Sequence, residues 1–166
     1  MLTRFRLAIF AAAALGAVWV TQALAFWPFH ASAPVNIAPA YGGTCEECDL
    51  SGRIMVGARM TNSVFDRANF SNAVLARADA SDSRFVAANF TEADLTFMSL
   101  ARTQCRDATF PRARFHGALL LGADFSGADL RLADGLTQDQ LSGACGDAST
   151  LLPRGLSIPR CEVSES

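Results

Sequence analysis

Large apolar residues recur at every fifth position over most of the chain. From Leu50 to Leu130, every residue whose number is divisible by five is apolar, and only Ala80 and Cys105 among them are small. The position two residues earlier holds a small residue in most copies, usually alanine. The other three positions of each five carry nearly all of the charged residues.

A period of five fits neither an α-helix nor a continuous β-strand. Five residues advance about 500° around a helix, so successive large residues would face every direction. On a strand, an odd period would place them on alternate faces. Each group of five must therefore return the chain to an equivalent environment after a bend. We predict stacked coils in which the large residue and the small residue two positions before it face inward.

The repeats resemble those of the pentapeptide repeat family, whose pattern is A-[D/N]-L-x-x. The matching copies are Ala68-Asn69-Phe70, Ala88-Asn89-Phe90, Ala93-Asp94-Leu95, Ala123-Asp124-Phe125 and Ala128-Asp129-Leu130. The resemblance implies an exported bacterial member with an all-β fold, namely a right-handed quadrilateral β-helix with four repeats in each coil. A short C-terminal capping helix and a tail would complete it.

Four repeats in each coil would stack residues that lie twenty positions apart in the sequence. The large inward residues then sort into columns, of which two are rich in phenylalanine. We expect the core stack to contain Phe65, Phe70, Phe85, Phe90, Phe110, Phe115 and Phe125.

Three residues at the small inward position depart from the pattern. Arg53 is large and charged, which predicts an open or irregular first coil. Met98 and Thr103 also depart, so we expect a local bulge over residues 98–105.

Residues 1–25 have the three parts of an export signal. Arg4 and Arg6 precede the unbroken apolar stretch Leu7–Val20, and Ala23-Leu24-Ala25 is an A-x-A site. We predict cleavage after Ala25 and a location in the periplasm or outside the cell. The alternative is an anchor in the inner membrane formed by residues 7–26, because the apolar stretch nearly reaches the ~20 residues that a bilayer requires.

The remaining chain divides into three predicted parts. Residues 26–44 contain several prolines and no acidic or basic charge, which is typical of an extended linker. Repeats occupy residues 45–135, and residues 136–166 form a cap and tail. Thr137 and Gln140 have the spacing of a capping box, which predicts a short helix over residues 138–144.

The chain contains five cysteines. In an exported protein they favour disulfides, and we predict the pairs Cys145–Cys161 and Cys45–Cys48. Cys105 occupies an inward position and would be a buried free thiol. The alternatives are a zinc site formed by four cysteines and a redox-active C-x-x-C at Cys45 and Cys48.

Composition and motifs give no sign of catalysis or nucleic-acid binding. The chain has 14 basic and 16 acidic residues, so it lacks the excess of positive charge that is typical of nucleic-acid-binding proteins. His30 and His116 belong to no recognisable catalytic motif. The aspartates beside inward residues recur with the repeat, which favours a role in the turns over a catalytic role. We therefore expect no enzymatic activity, no cofactor and no metal.

We expect a structural or protein-interaction module of the cell envelope, whose partner is a protein or an envelope component. Membrane contact is expected only if the N-terminal segment stays uncleaved. The resemblance also implies an alternative, inhibition by nucleic-acid mimicry, because quinolone-resistance relatives resemble duplex DNA and protect gyrase. The export signal, the short rod and the nearly balanced charge of the repeats argue against that alternative.

Overall fold

The computed structural model describes residues 43–162. Over this range the repeats wind into a right-handed β-helix with a square cross-section, in which each side is one pentapeptide. Parallel bridges join residues twenty positions apart, from Thr44–Val64 through Arg114–Asp134. Each side contributes a single bridge residue, so no longer strand occurs in the described range. The predicted fold and its twenty-residue coil are confirmed.

Each corner of the square is a β-turn that starts at the large inward residue. At most corners, the carbonyl oxygen of this residue accepts a hydrogen bond from the N–H three residues on, as between Phe90 and Ala93 at 3.1 Å. The second residue after the large one has a positive φ at every corner from Glu47 to Gly127, as at the third position of a type II turn. We call it the corner residue.

Twelve of the corner residues are not glycine, although the left-handed region disfavours other side chains by roughly 1–2 kcal/mol. The inter-coil ladder holds them in place, because each corner N–H donates to the next coil. The N–H of Phe97, for example, lies 2.9 Å from the carbonyl oxygen of His116. The hydrogen bonds between coils therefore hold these residues at a positive φ, which their side chains disfavour.

The inward residues form one continuous core. All inward positions from Met60 to Leu130 are buried, including the seven phenylalanines of the predicted stack. The ring centroids of Phe70 and Phe90 lie 4.9 Å apart, and those of Phe90 and Phe110 lie 5.0 Å apart, with nearly parallel planes. The central coils therefore pack their aromatic rings directly on those of the next coil.

The predicted bulge over residues 98–105 is wrong. The bridges of Ser99 and Gln104 keep the twenty-residue register. Met98 is fully buried, because an unbranched side chain adapts to the space available. Thr103 is buried as well, and its hydroxyl donates to the carbonyl oxygen of Leu100 at 2.7 Å. Both residues fit the coil without an insertion.

The first coil is open rather than irregular. Arg53 is half-buried, and its backbone keeps the ladder, since its carbonyl oxygen accepts the N–H of Val74 at 2.8 Å. Leu50 is also only half-buried. The first coil is therefore less well covered than the later coils, but its register is the same.

Helix α1, Gln138–Ser142, begins the cap. Thr137 is its N-cap, and the capping box with Gln140 forms in both directions. The helix ends two residues earlier than predicted, with Gly143 as its C-cap. Its one fully buried residue, Leu141, faces the core.

The segment after α1 replaces a further coil. Cys145 bridges Asp124, and Leu151 bridges Asp129, so the last coil has partners for its backbone. The Nε2 of Gln140 donates to two carbonyl oxygens of the coil below, each at 2.9 Å. The C-terminal end of the β-helix is therefore covered.

Asp147 in the cap replaces the backbone acceptor that a further coil would offer to the N–H of Gly127. Its Oδ1 accepts the N–H of Gly127 at 3.0 Å, and it also accepts the hydroxyl and N–H of Ser149 at 2.7 and 2.9 Å. These hydrogen bonds, first that of the Ser149 hydroxyl, lower the pKa of Asp147 to about 2.

The carboxylate of Asp147 should make stability pH-dependent in the acid range. Its stabilising contribution is complete above its ordinary pKa of 3.8 and is lost as the pH falls toward about 2. We expect the urea midpoint of the wild-type chain to fall more steeply between pH 4 and pH 2 than that of Asp147→Asn, which keeps an acceptor but does not titrate. Equal slopes would contradict this role.

The predicted signal segment 1–25, its cleavage site after Ala25, the anchor alternative 7–26 and the linker residues before Gly43 lie outside the described residues. Among the residues that are described, no helix has the length and apolar character needed to cross a membrane.

Candidate interaction surface

The residue between the two inward positions of each side points outward, and we call it the mid-face residue. Because bridges join these residues across twenty positions, they line up in four faces along the β-helix. Face 1 contains Asp49, Asn69, Asn89, Thr109 and Asp129, and face 2 contains Ile54, Val74, Asp94, Arg114 and Asp134. Face 3 contains Arg59, Asp79, Ser99 and Leu119, and face 4 contains Thr44, Val64, Arg84, Gln104 and Asp124.

Mid-face aspartates stabilise the corner that follows them. Oδ1 of Asp94 accepts the N–H of Thr96 at 3.1 Å and its hydroxyl at 2.5 Å. Asp124 binds Ser126 in the same way, at 2.9 and 2.7 Å. This is the geometry of an Asx turn. The aspartates that recur with the repeat therefore stabilise the backbone of the corners.

Arginines pair with acidic residues of the adjacent coil. The pairs are Arg67 with Glu47, Arg84 with Asp66, Arg102 with Asp82, Arg106 with Asp124, Arg112 with Glu92 and Arg114 with Asp94. The hydrogen bond from Arg102 lowers the pKa of the Asp82 carboxyl. Those of the pairs that are exposed on both sides contribute at most about 1 kcal/mol each. Their main effect is to mix both signs of charge over the surface.

Among residues 43–162 one carboxylate is buried, which the sequence pattern did not predict. Asp66 is 6% exposed, accepts the guanidinium of Arg84 and accepts the N–H of Val86 at 3.2 Å. Its outward place in the repeat predicts exposure. The signal that could have found it is Arg84, which lies in the adjacent coil once the twenty-residue register is known. With its oxygens paired, Asp66 is a structural group.

The structure brings both predicted cysteine pairs together. Cys45 and Cys48 form a disulfide in the first coil, and Cys145 and Cys161 form one in the cap. The two pairs lie at opposite ends of the β-helix, so the four cysteines cannot share a zinc ion within one molecule. Cys105 is a free thiol in the core, and burial raises its pKa to about 12, which keeps it protonated.

Asp124 lies next to the second disulfide. Ligand atoms of Asp124, Cys145 and Cys161 lie within 4.8 Å of one another. Both sulfur atoms belong to the disulfide, so neither supplies the thiolate that a metal would require. The second oxygen of Asp124 accepts a hydrogen bond from Arg106 at 2.5 Å. The group therefore has no free donor set for a metal in the oxidised chain.

Three large apolar side chains project from face 3 and its two corners. Phe97 at the corner with face 2 is 58% exposed, Leu119 on face 3 is 60% exposed, and Leu121 at the corner with face 4 is 68% exposed. We call these three residues the face 3 cluster. Sequence reasoning missed it, because outward positions were expected to be polar.

Two glycines lie directly against side chains of the cluster. A Cβ atom at Gly117 would lie 2.5 Å from two ring carbons of Phe97, so the ring occupies the space that a side chain at 117 would need. Leu121 lies beside the end of α1, with its Cδ1 3.4 Å from the Cβ position of Gly143. An apolar group held on a rigid face is suited to bind another apolar surface.

The family model described as "Pentapeptide repeats (8 copies)" matches residues 45–79, 68–103 and 99–134, which together span the β-helix. The chain belongs to the pentapeptide repeat family. The resemblance that the repeats predicted is therefore confirmed.

The chain is also similar to several solved structures. One, from the thylakoid lumen of Arabidopsis thaliana, is 25% identical, with a TM-score of 0.48 over 59% of this chain and 71% of that one. Rfr23 from the cyanobacterium Cyanothece 51142 is 22% identical, with a TM-score of 0.41 over 66% and 90%. QnrB1, a plasmid-mediated fluoroquinolone resistance protein, is 19% identical, with a TM-score of 0.30 over 70% and 77%. No curated protein sequence matches the chain.

Proposed function

We propose that this pentapeptide repeat protein is a non-enzymatic module that binds another protein through the face 3 cluster. The cluster is the observation that carries the proposal, because Phe97, Leu119 and Leu121 each expose more than half of their surface. Exposed apolar side chains that are grouped together are typical of interaction sites. A few residues contribute most of the binding free energy at protein interfaces.

The use of the polar groups supports a binding role over catalysis. Carboxylates that a catalytic site would need are hydrogen-bonded to the corners or paired with arginines. The same pairs weigh against nucleic-acid mimicry, because a mimic of duplex DNA needs rows of unpaired negative charge. Here the arginines neutralise the acidic residues of adjacent coils.

The place of action that we propose is the bacterial cell envelope, in the periplasm or outside the cell. Its support is the predicted export signal at residues 1–25 together with two disulfides, which persist in oxidising compartments. A full-length, uncleaved protein found in the cytoplasm would contradict this part of the proposal and would restore mimicry as the leading alternative.

Site-specific photo-crosslinking in the producing cell tests the binding surface. A photoreactive phenylalanine analogue at position 97 should crosslink a discrete envelope protein, whereas the same analogue at position 87 should not. Ala87 is the matched control, since it is an exposed corner residue of the same coil with the same φ of 57° at the diagonally opposite corner.

A second variant separates specific binding from chance proximity. Leu119→Ser should reduce the crosslink from position 97 by roughly tenfold or more, as expected for the loss of an interface anchor. Equal crosslinking from positions 97 and 87, or a crosslink that Leu119→Ser leaves unchanged, would show that the face 3 cluster is not the binding site.

A further inference from the structure

Face 3 carries positive charge toward its N-terminal end, the face 3 cluster near its middle and negative charge at its C-terminal end. It has five levels, one for each coil, which we number from the N-terminal end. Levels 1 to 4 are those of the mid-face residues Arg59, Asp79, Ser99 and Leu119, and level 5 is helix α1. The two ends of this face therefore differ in charge, whereas its middle is apolar.

Helix α1 supplies the negative end. Gly143 at the end of the helix lies against Leu121 of level 4, which places α1 directly above that level. Asp139 comes two residues before the buried Leu141, so it lies about 200° around the helix on its outer side. Asp139 is exposed, and its carboxylate forms no ion pair within residues 43–162. This carboxylate is therefore available to a basic group of another molecule.

Two arginines supply the positive end. Arg59 is the mid-face residue of level 1, and Arg77 is the corner residue beside level 2. Both are exposed, and neither forms an ion pair with another of the described residues. Asp79 lies between them, and its Oδ1 accepts the N–H and the hydroxyl of Ser81 at 3.1 and 2.6 Å. Two guanidinium groups beside one carboxylate leave this end with a net positive charge.

The order of the charges makes face 3 complementary to itself. Two copies can pack face to face with antiparallel rods, related by a two-fold axis that crosses the face between levels 3 and 4. Level 2 of one copy then lies opposite level 5 of the other, so Arg77 faces Asp139 of the second copy. Parallel rods would place equal levels opposite each other, so that Arg59 would face its own equivalent. Like charges opposed across an interface are unfavourable, which favours the antiparallel arrangement.

The face 3 cluster lies on the same axis. Phe97 belongs to level 3, and its ring leans over Gly117 at level 4, where a Cβ atom would lie 2.5 Å from it. The axis carries each corner of the face onto the same corner of the second copy, so the two Phe97 rings meet. Leu119 at level 4 lies opposite level 3 of the second copy. The interface then has an apolar centre between charged ends, as protein interfaces commonly do.

We infer that the chain forms an antiparallel, two-fold symmetric dimer through face 3, in which each copy covers the face 3 cluster of the other. The inference rests on the proposed function, because it names what occupies the same cluster while no envelope partner is bound. Five levels at roughly 4.8 Å give a narrow strip about 24 Å long, which is small for a permanent dimer. The dimer is therefore weak and reversible, and an envelope partner that binds the cluster displaces the second copy.

Sedimentation velocity of the purified chain at increasing protein concentration tests the dimer. The wild-type chain should pass from a monomer to a dimer as the concentration rises. Leu119→Ser should raise the dissociation constant by about tenfold or more, as expected for the loss of an apolar anchor. Leu132→Ser is the matched control and should leave the dissociation constant unchanged, because Leu132 is 65% exposed at the corner between faces 1 and 2.

A charge swap tests the antiparallel register. Arg77→Glu and Asp139→Arg should each raise the dissociation constant by about fivefold or more, because like charges then face each other at two symmetric places. The chain that carries both substitutions should dimerise nearly as well as the wild type, because opposite charges face each other again. Misfolding caused by either substitution would persist in the double variant. Arg154→Glu is the control, since it reverses an exposed arginine of the tail and should have no effect.

Three results would overturn the inference. They are a wild-type chain that stays monomeric at every concentration, a dimer that Leu119→Ser does not weaken, and a double variant that does not recover the affinity lost in the single ones. None of these results decides the proposed function, which depends on the envelope crosslink from position 97. A dimer that behaves as expected without any envelope crosslink would contradict the proposed function alone.

Discussion

Replacement of Phe90 by alanine is expected to lower the free energy of unfolding by about 3–5 kcal/mol. The side chain is 0% exposed and lies between Phe70 and Phe110, with centroid distances of 4.9 and 5.0 Å. It also meets Phe85 edge-on at 5.4 Å. The substitution opens a cavity that the neighbouring coils cannot close, because the ladder fixes their spacing. Urea unfolding followed by circular dichroism measures the loss.

Phe97→Ala is the matched control for Phe90→Ala. Both substitutions remove the same side chain from the same coil, but Phe97 is 58% exposed. We expect Phe97→Ala to cost about 1 kcal/mol or less, in proportion to the smaller apolar area that it buries. Similar losses for the two variants would mean that the stacked core does not dominate stability.

Removal of the cap disulfide by Cys145→Ser with Cys161→Ser should cost about 3 kcal/mol in the chain-entropy model, because the two cysteines are 16 residues apart. The tail also loses a constraint on its backbone pairing, in which the N–H of Gly146 donates to Pro159 at 2.8 Å. Cys45→Ser with Cys48→Ser is the matched control. Its separation is 3 residues, and the same model gives about 2 kcal/mol.

Reductant provides an independent measurement of the cap disulfide. Dithiothreitol should lower the urea midpoint of the Cys45→Ser/Cys48→Ser chain and leave that of the Cys145→Ser/Cys161→Ser chain less affected. Alkylation of the unfolded wild-type chain followed by mass spectrometry should detect one thiol, that of Cys105, before reduction and five after it. Four free thiols before reduction, together with zinc binding, would contradict the disulfides.

The sequence predicts the architecture in detail because the coil repeats one environment. A period of five with a small residue two positions before a large one leaves only the inside of a narrow coil for both, so the burial of Phe90 and Ala93 follows directly. The capping box at Thr137 is equally local. These features need no knowledge of which coils are neighbours.

Features that depend on contacts between coils were harder to predict. Asp66 becomes buried because Arg84 reaches it from the next coil, and the repeat pattern says nothing of that contact. The bulge was expected because Met98 and Thr103 depart from the small inward residue, but Met98 is fully buried in the core and the Thr103 hydroxyl donates to Leu100 within its own turn. The face 3 cluster depends on Gly117, whose missing side chain makes room for the ring of Phe97. Each case depends on one particular contact rather than on the period.

The twenty-residue register makes distance and direction along the rod a matter of counting. Each coil adds one rise of roughly 4.8 Å, so deleting twenty residues would shorten the rod by one step and leave every face aligned. Deleting five would turn everything beyond the cut by a quarter of a revolution. A cut between Phe97 and Leu119 would then carry Leu119 and Leu121 around to a neighbouring face. The number of residues between two surface positions therefore determines whether they lie on the same face of the rod. Only the gain or loss of whole coils keeps the faces aligned.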